Sequence, residues 1–231
     1  MGKTTPQPVY LLALESSGTT CGVGLCAGTE FLGAITLEVR QVHSRLLAPF
    51  CQRLLKDAGL EPGQLGGIVV SQGPGSFTGL RIGFSLAKGL AHALHIPLVG
   101  VPTPEVWAYQ LGEAYNPVLS VVDAHRGELF FGIYRWQEGE LVLEGELSRL
   151  PVAEVINRVQ APAWVTGPAS HVLARHEQAR GNLHLRFPAV QPPSFQMWAL
   201  LARGWSRFQN KQFLDLESSE PLYMRTFKGV S

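Results

Sequence analysis

The sequence predicts an α/β protein of two lobes, each built on a mixed sheet, with the second lobe a degenerate copy of the first. Three observations carry that prediction. Apolar stretches of strand period alternate with stretches of helical period along the 231 residues. The order strand–strand–strand–helix–strand–helix runs once up to about residue 112 and then begins again. The first strand of each run ends in an acid, Glu15 in one and Asp123 in the other.

In the first run, residues 9–15 read as a strand and 18–20 as a turn. Residues 21–26 and 30–39 are two further strands joined by Ala27-Gly28-Thr29, which makes a β-meander. A helix follows at 43–58 and stops near Gly59. A strand at 66–71, a helix at 78–94, a strand at 98–101 and a helix at 103–113 complete the run. The last helix is expected to bridge the lobes. The second run has strands at 117–123, 128–136 and 140–147, a helix at 151–159, a strand at 163–166 and a helix at 194–208. It holds fewer helices and more proline. The expected division is therefore 9–112 and 113–231, with residues 1–8 a flexible leader.

The most specific stretch is Ser71-Gln72-Gly73-Pro74-Gly75-Ser76-Phe77-Thr78-Gly79-Leu80-Arg81-Ile82-Gly83. It joins the apolar strand at Ile68-Val69-Val70 to a helix start. Glycines there permit positive φ and close backbone approach. Ser76 or Thr78 can cap the helix. The free amides of a helix start favour an anion. No lysine follows the last glycine in a P-loop arrangement, and Arg81 is the nearby cation. Two readings fit the loop by itself, a phosphate cradle or a tight structural turn.

This run closely resembles the bacterial TsaB family, also called YeaZ. Leu12-Ala13-Leu14-Glu15-Ser16-Ser17, His43-Ser44-Arg45-Leu46-Leu47-Ala48-Pro49, Ile96-Pro97-Leu98-Val99-Gly100-Val101, Val121-Val122-Asp123-Ala124-His125-Arg126-Gly127-Glu128 and Pro221-Leu222-Tyr223-Met224-Arg225 resemble further segments of it. The likeness is strong over about residues 9–135 and returns at 221–225. It implies an actin-like, sugar-kinase-like fold and a non-catalytic role in making tRNA N6-threonylcarbamoyladenosine. It also implies two partners: the paralogue TsaD, which holds the metal and active site, and the ATPase TsaE. tRNA would be met through that assembly. No cofactor of its own is implied, although ATP or ADP can enter the assembled complex. An older classification as glycoproteases implies a peptidase.

The resemblance sharpens several residues. TsaD-like paralogues carry two histidines four apart on the helix that begins at His43, on one face and able to share a metal. Here the second position is Leu47, so that metal pair is broken. His43 alone reads as a helix cap or a surface group. The helix at 43–58 is apolar over more than half its circumference, which means deep burial or a covering partner. The resemblance favours the partner. It implies an interface of Leu46, Leu47, Phe50, Leu54, Gly79 and Gly83, used by a homodimer when alone and by TsaD in the assembly. Glu15, Ser16, Gly73, Gly75, Ser76, Thr78, Arg81 and Asp123 form a candidate vestigial nucleotide or phosphate site. The two acids fit either metal–phosphate binding or turn capping.

Composition narrows the alternatives. Net charge is +1, which does not support a broad nucleic-acid-binding face. No apolar run reaches membrane-spanning length and no signal peptide is evident, so a cytoplasmic location is expected. Cys21, Cys26 and Cys51 fit no zinc spacing and read as buried thiols, with the first two on opposite faces of one strand. Trp198, Trp205, Phe208, Phe213, Tyr223 and Phe227 read as packing residues; stacking on RNA bases is their functional alternative, with Lys211, Arg225 and Lys228 a loose basic patch. Two rivals remain: an ATP-dependent phosphotransferase or ATPase of the same fold, and a peptidase. The latter needs a nucleophile–base pair or metal site that the sequence does not display.

Overall fold

The computed structural model describes residues 8–38, 42–192 and 194–224. The leader at 1–7, Val39, and the tail residues Arg225, Phe227 and Lys228 lie outside the described residues. Packing divides the chain into two units.

The first unit contains β1 (Tyr10–Glu15), β2 (Thr20–Ala27), β3 (Glu30–Glu38), α1 (His43–Asp57), β4 (Leu65–Gly73), most of α2 (Phe77–Leu94) and β5 (Leu98–Pro102). Its sheet has the order β3-β2-β1-β4-β5. β1 pairs antiparallel with β2 and parallel with β4. Leu11 to Leu14 of β1 are fully buried, as a central strand covered on both faces requires. One face packs on α1 and α2 through Leu14, Val23, Leu25, Leu47, Leu54 and Phe84. α1 continues through Pro49, which cannot donate to a helical hydrogen bond, because burial of Leu47, Cys51, Leu54 and Leu55 outweighs that loss. The other face is covered by α6 (Met197–Gln209), where Met197 lies over Gly22 and Gly24.

The second unit contains α3 (Thr103–Leu111), β6 (Val118–His125), β7 (Glu128–Gln137), β8 (Glu140–Pro151), α4 (Val152–Arg158), β9 (Ala163–Thr166), α5 (Ser170–Arg175) and β10 (Leu185–Arg186). Its sheet order, β8-β7-β6-β9-β10, repeats that of the first strand for strand. A meander of three strands followed by parallel additions on the other side of the first strand is the actin-like arrangement. The α/β fold with a mixed sheet in each half is therefore as the sequence predicts. Leu119, Val121, Leu129, Val155, Val165 and Leu173 form its core against α4 and α5.

The units do not follow the linear division at residues 112 and 113. α3 groups with the second unit and α6 with the first. α5 and β10 are absent from the sequence prediction because six and two residues hold too little periodicity to register. α6 begins at Met197, three residues later than expected.

Candidate functional site

The candidate site begins where β1 ends. Glu15 is 1% exposed, and the turn after it folds back on its carboxylate. Ser17 donates its backbone N–H (2.7 Å) and its hydroxyl (2.6 Å) to Oε1. The Ser71 hydroxyl of β4 donates to Oε2. Burial pushes the Glu15 carboxyl up to about 7, against the opposing pull of its serine donors. The arrangement staples β1 to β4. It also turns both carboxylate oxygens inward, so Glu15 does not present a metal ligand to solvent here.

Ser16 is buried as well and donates to the Gly79 carbonyl at 2.9 Å, which ties the β1 turn to the first turn of α2. The same turn explains Gly83. A Cβ at Gly83 would overlap Ser16 Oγ and touch Leu47 Cδ2. The close approach at Gly83 is thus to the β1 turn as well as to α1.

Ser76 directly precedes α2, in the cap position, and Thr78 lies inside the first turn. Thr78 and Arg81 are exposed residues of the first unit, whereas Gly73, Gly75, Ser76 and Phe77 group with the second. In the second unit Asp123 is exposed. Its Oδ1 accepts the backbone N–H of His125 at 2.7 Å, the same two-residue return that Glu15 makes with Ser17. A second echo is not apparent from the sequence by itself. Gly167-Pro168-Ala169-Ser170 follows β9, and its counterpart Gly73-Pro74-Gly75-Ser76 starts on the last residue of β4. Only the matched strand order aligns the two stretches.

Two readings need correction. His43 is neither a cap nor a surface group: it is 7% exposed, with Nε2 3.2 Å from the Thr20 carbonyl oxygen. It sits at the buried start of α1 because the helix face that carries Leu47 and Cys51 carries it too. Likewise Leu47 (1% exposed), Leu54, Gly79 and Gly83 are interior residues of the first unit, so none of them is a surface contact. Leu46 and Phe50 remain half-buried at the edge of that core. Between α1 and α2 runs an apolar groove of about 650 Å³, with Ala48, Cys51 and Leu55 on one wall and Leu86, Leu90 and Leu94 on the other. Burial pushes the thiols of Cys21, Cys26 and Cys51 up, away from reactivity. Among the described residues, no group of three or more His, Cys, Asp or Glu is placed to hold a metal ion. No helix among them is long and apolar enough to cross a membrane.

Comparison with known proteins matches this architecture. A family model described as TsaD, tRNA N6-adenosine threonylcarbamoyltransferase, covers residues 29–197. The tRNA threonylcarbamoyladenosine biosynthesis protein TsaB of Escherichia coli is 27% identical over 93% of this chain and 94% of its own length. The chain belongs to the TsaB (YeaZ) family. Bacillus subtilis TsaB is 36% identical over 132 residues, and in that match the chain spans 57% of the Bacillus protein. The structure of YeaZ from Pseudomonas aeruginosa superposes with a TM-score of 0.77 at 26% identity, covering 93% of this chain and 99% of that one. A second Pseudomonas aeruginosa structure, described as similar to peptidase YEAZ, gives a TM-score of 0.80 and covers all of that chain.

Proposed function

We infer that this chain acts in tRNA threonylcarbamoyladenosine biosynthesis as a non-catalytic subunit, binding and activating TsaD together with TsaE. The observation that carries the reading is the inward-facing acid. The carboxylate that an actin-like nucleotide site would place at the end of its first strand is 1% exposed and occupied by two serines. The Leu47 position supports it, since an aliphatic side chain packed in the core supplies no metal ligand. The chain needs no cofactor of its own in this reading, and nucleotide enters only with the assembly, in the cytoplasm.

The partner face is the outer side of α1 and α2, with Leu46 and Phe50 half-buried beside the core. Its charge favours a different partner over a second copy. α1 carries Arg45, Arg53 and Lys56 against the single acid Asp57, which Arg53 already binds at 2.6 Å. A homodimer through this face opposes like charges, whereas an acidic partner surface neutralises them.

Reconstitution tests the role. Modification of tRNA by TsaD, TsaE and the threonylcarbamoyl adenylate should require this chain; full modification without it rules the role out. Leu46→Asp should abolish co-elution with TsaD on gel filtration while the circular-dichroism spectrum is kept. A variant that still co-elutes removes this face from the interface.

A further inference from the structure

The β6–β7 turn of the second unit departs from what the fold alone needs. His125 pairs with Glu128 across the hairpin, leaving Arg126-Gly127 as a two-residue loop. Both loop residues have positive φ, 55° and 79°, and His125 before them has φ 64°. Such a loop is best served by Asn-Gly, and a branched or long side chain at its first position is held in an unfavourable backbone region. The chain places a histidine and an arginine there, both exposed. Neither is recruited for packing. Asp123 holds His125 through its backbone N–H at 2.7 Å and its ring at 3.4 Å. Glu128 is taken by Arg149 at 3.5 Å. Among the described residues the Arg126 guanidinium has no hydrogen-bond or ion-pair partner.

Beside this turn the same unit displays aromatic surface. Ala124, one residue before His125, packs with Val122, Phe130 and Met224. Tyr223, next to Met224, lies against Phe77 with ring centroids 5.1 Å apart, and Phe77 is 42% exposed. An uncommitted guanidinium and a half-exposed ring at one end of a sheet are the parts that bind single-stranded nucleic acid: a phosphate contact and a stacking platform.

We propose that the β6–β7 turn and the Phe77–Tyr223 pair form a contact for single-stranded RNA, with Arg126 on a backbone phosphate and Phe77 under a base. The inference rests on the role argued above only for the choice of RNA as ligand. The test uses the whole chain and a fluorescein-labelled tRNA transcript in fluorescence anisotropy. Arg126→Asn restores the preferred Asn-Gly turn, so it should raise the melting temperature, by roughly 2 °C or more, while weakening tRNA binding about tenfold. It should also lower the slope of log affinity against log salt by about one, as loss of one phosphate contact does. Phe77→Ala should weaken binding about tenfold with the salt slope unchanged. Unchanged affinity in both variants, or no binding by the wild-type chain at 100 µM (about the scale of weak non-specific binding), overturns the proposal. So does a result in which the variants keep tRNA and lose TsaD, since that makes the turn a protein contact. If the variants bind tRNA normally while modification still requires the chain, the RNA contact fails and the subunit role stands.

Discussion

The two halves share one strand order and differ in what the strands support. β4 feeds an 18-residue α2, whereas its counterpart β9 feeds a six-residue α5. β5 has five residues and β10 has two. The reason lies in the residues after each Gly-Pro. Apolar side chains recur through all of 77–94, but after Leu173 the chain meets Arg175, His176, Glu177 and Gln178 and has no face left to bury. The central strands are retained in both halves: Leu11 to Leu14 and Leu119 with Val121 are fully buried. A duplicated fold thus keeps its frame through strands buried on both faces, while the connections beyond them are free to shorten. The acids show the same divergence. Each first strand ends in a carboxylate that accepts a backbone N–H two residues on, yet Glu15 is interior and Asp123 is solvated.

The glycines after β4 and β9 give the widest separation between halves. Gly167 has φ 103°, and a Cβ there would run into the Val121 backbone. Gly83 lies in a helix, and its Cβ would meet a side-chain hydroxyl that can rotate away. Gly167→Ala should therefore cost about 4 kcal/mol and Gly83→Ala only about 1–2, read by urea denaturation. Equal costs would mean that the second half tolerates the strain.

Next in size is the pH response of Glu15. Its folded value, about 7, lies above the ordinary 4.5, so the folded state holds a proton that the unfolded state has released between those limits. Stability is then greatest below about 4.5, falls as pH rises toward 7 and levels off above it. The full fall is about 3 kcal/mol. Glu15→Gln should remove this slope and leave the protein more stable than wild type at pH 8 (a value about one unit past the transition). A wild-type profile that is flat through this window would show the carboxyl to be solvated. The smallest effect belongs to the other acid. Asp123→Asn keeps an acceptor for the His125 N–H on an exposed turn, so stability should change by less than about 0.5 kcal/mol. A larger loss would make the second-half turn as structural as the first.

Much of this was legible beforehand because its causes are local. The meander 10–38, the helices at 43 and 77, the strands at 65 and 98 and the restart at 118 follow from period-two and period-3.6 patterns and from glycine-bearing turns. The glycine-rich run and its neighbours identified the family without coordinates. The candidate site was legible in residue type only. Glu15, Ser16, Gly79 and Gly83 were singled out for a phosphate site or an interface, and packing makes them a sealed joint between β1, β4 and α2.

The sequence by itself determined the alternation of elements, the duplication and the family, because hydrophobic period and turn chemistry act between residues a few positions apart. Tertiary structure alone decided which side of α1 is interior, that His43 is buried at its start, and that Ser71 closes over Glu15 from 56 residues away. Burial depends on what the rest of the chain brings alongside a residue, and no local pattern records that.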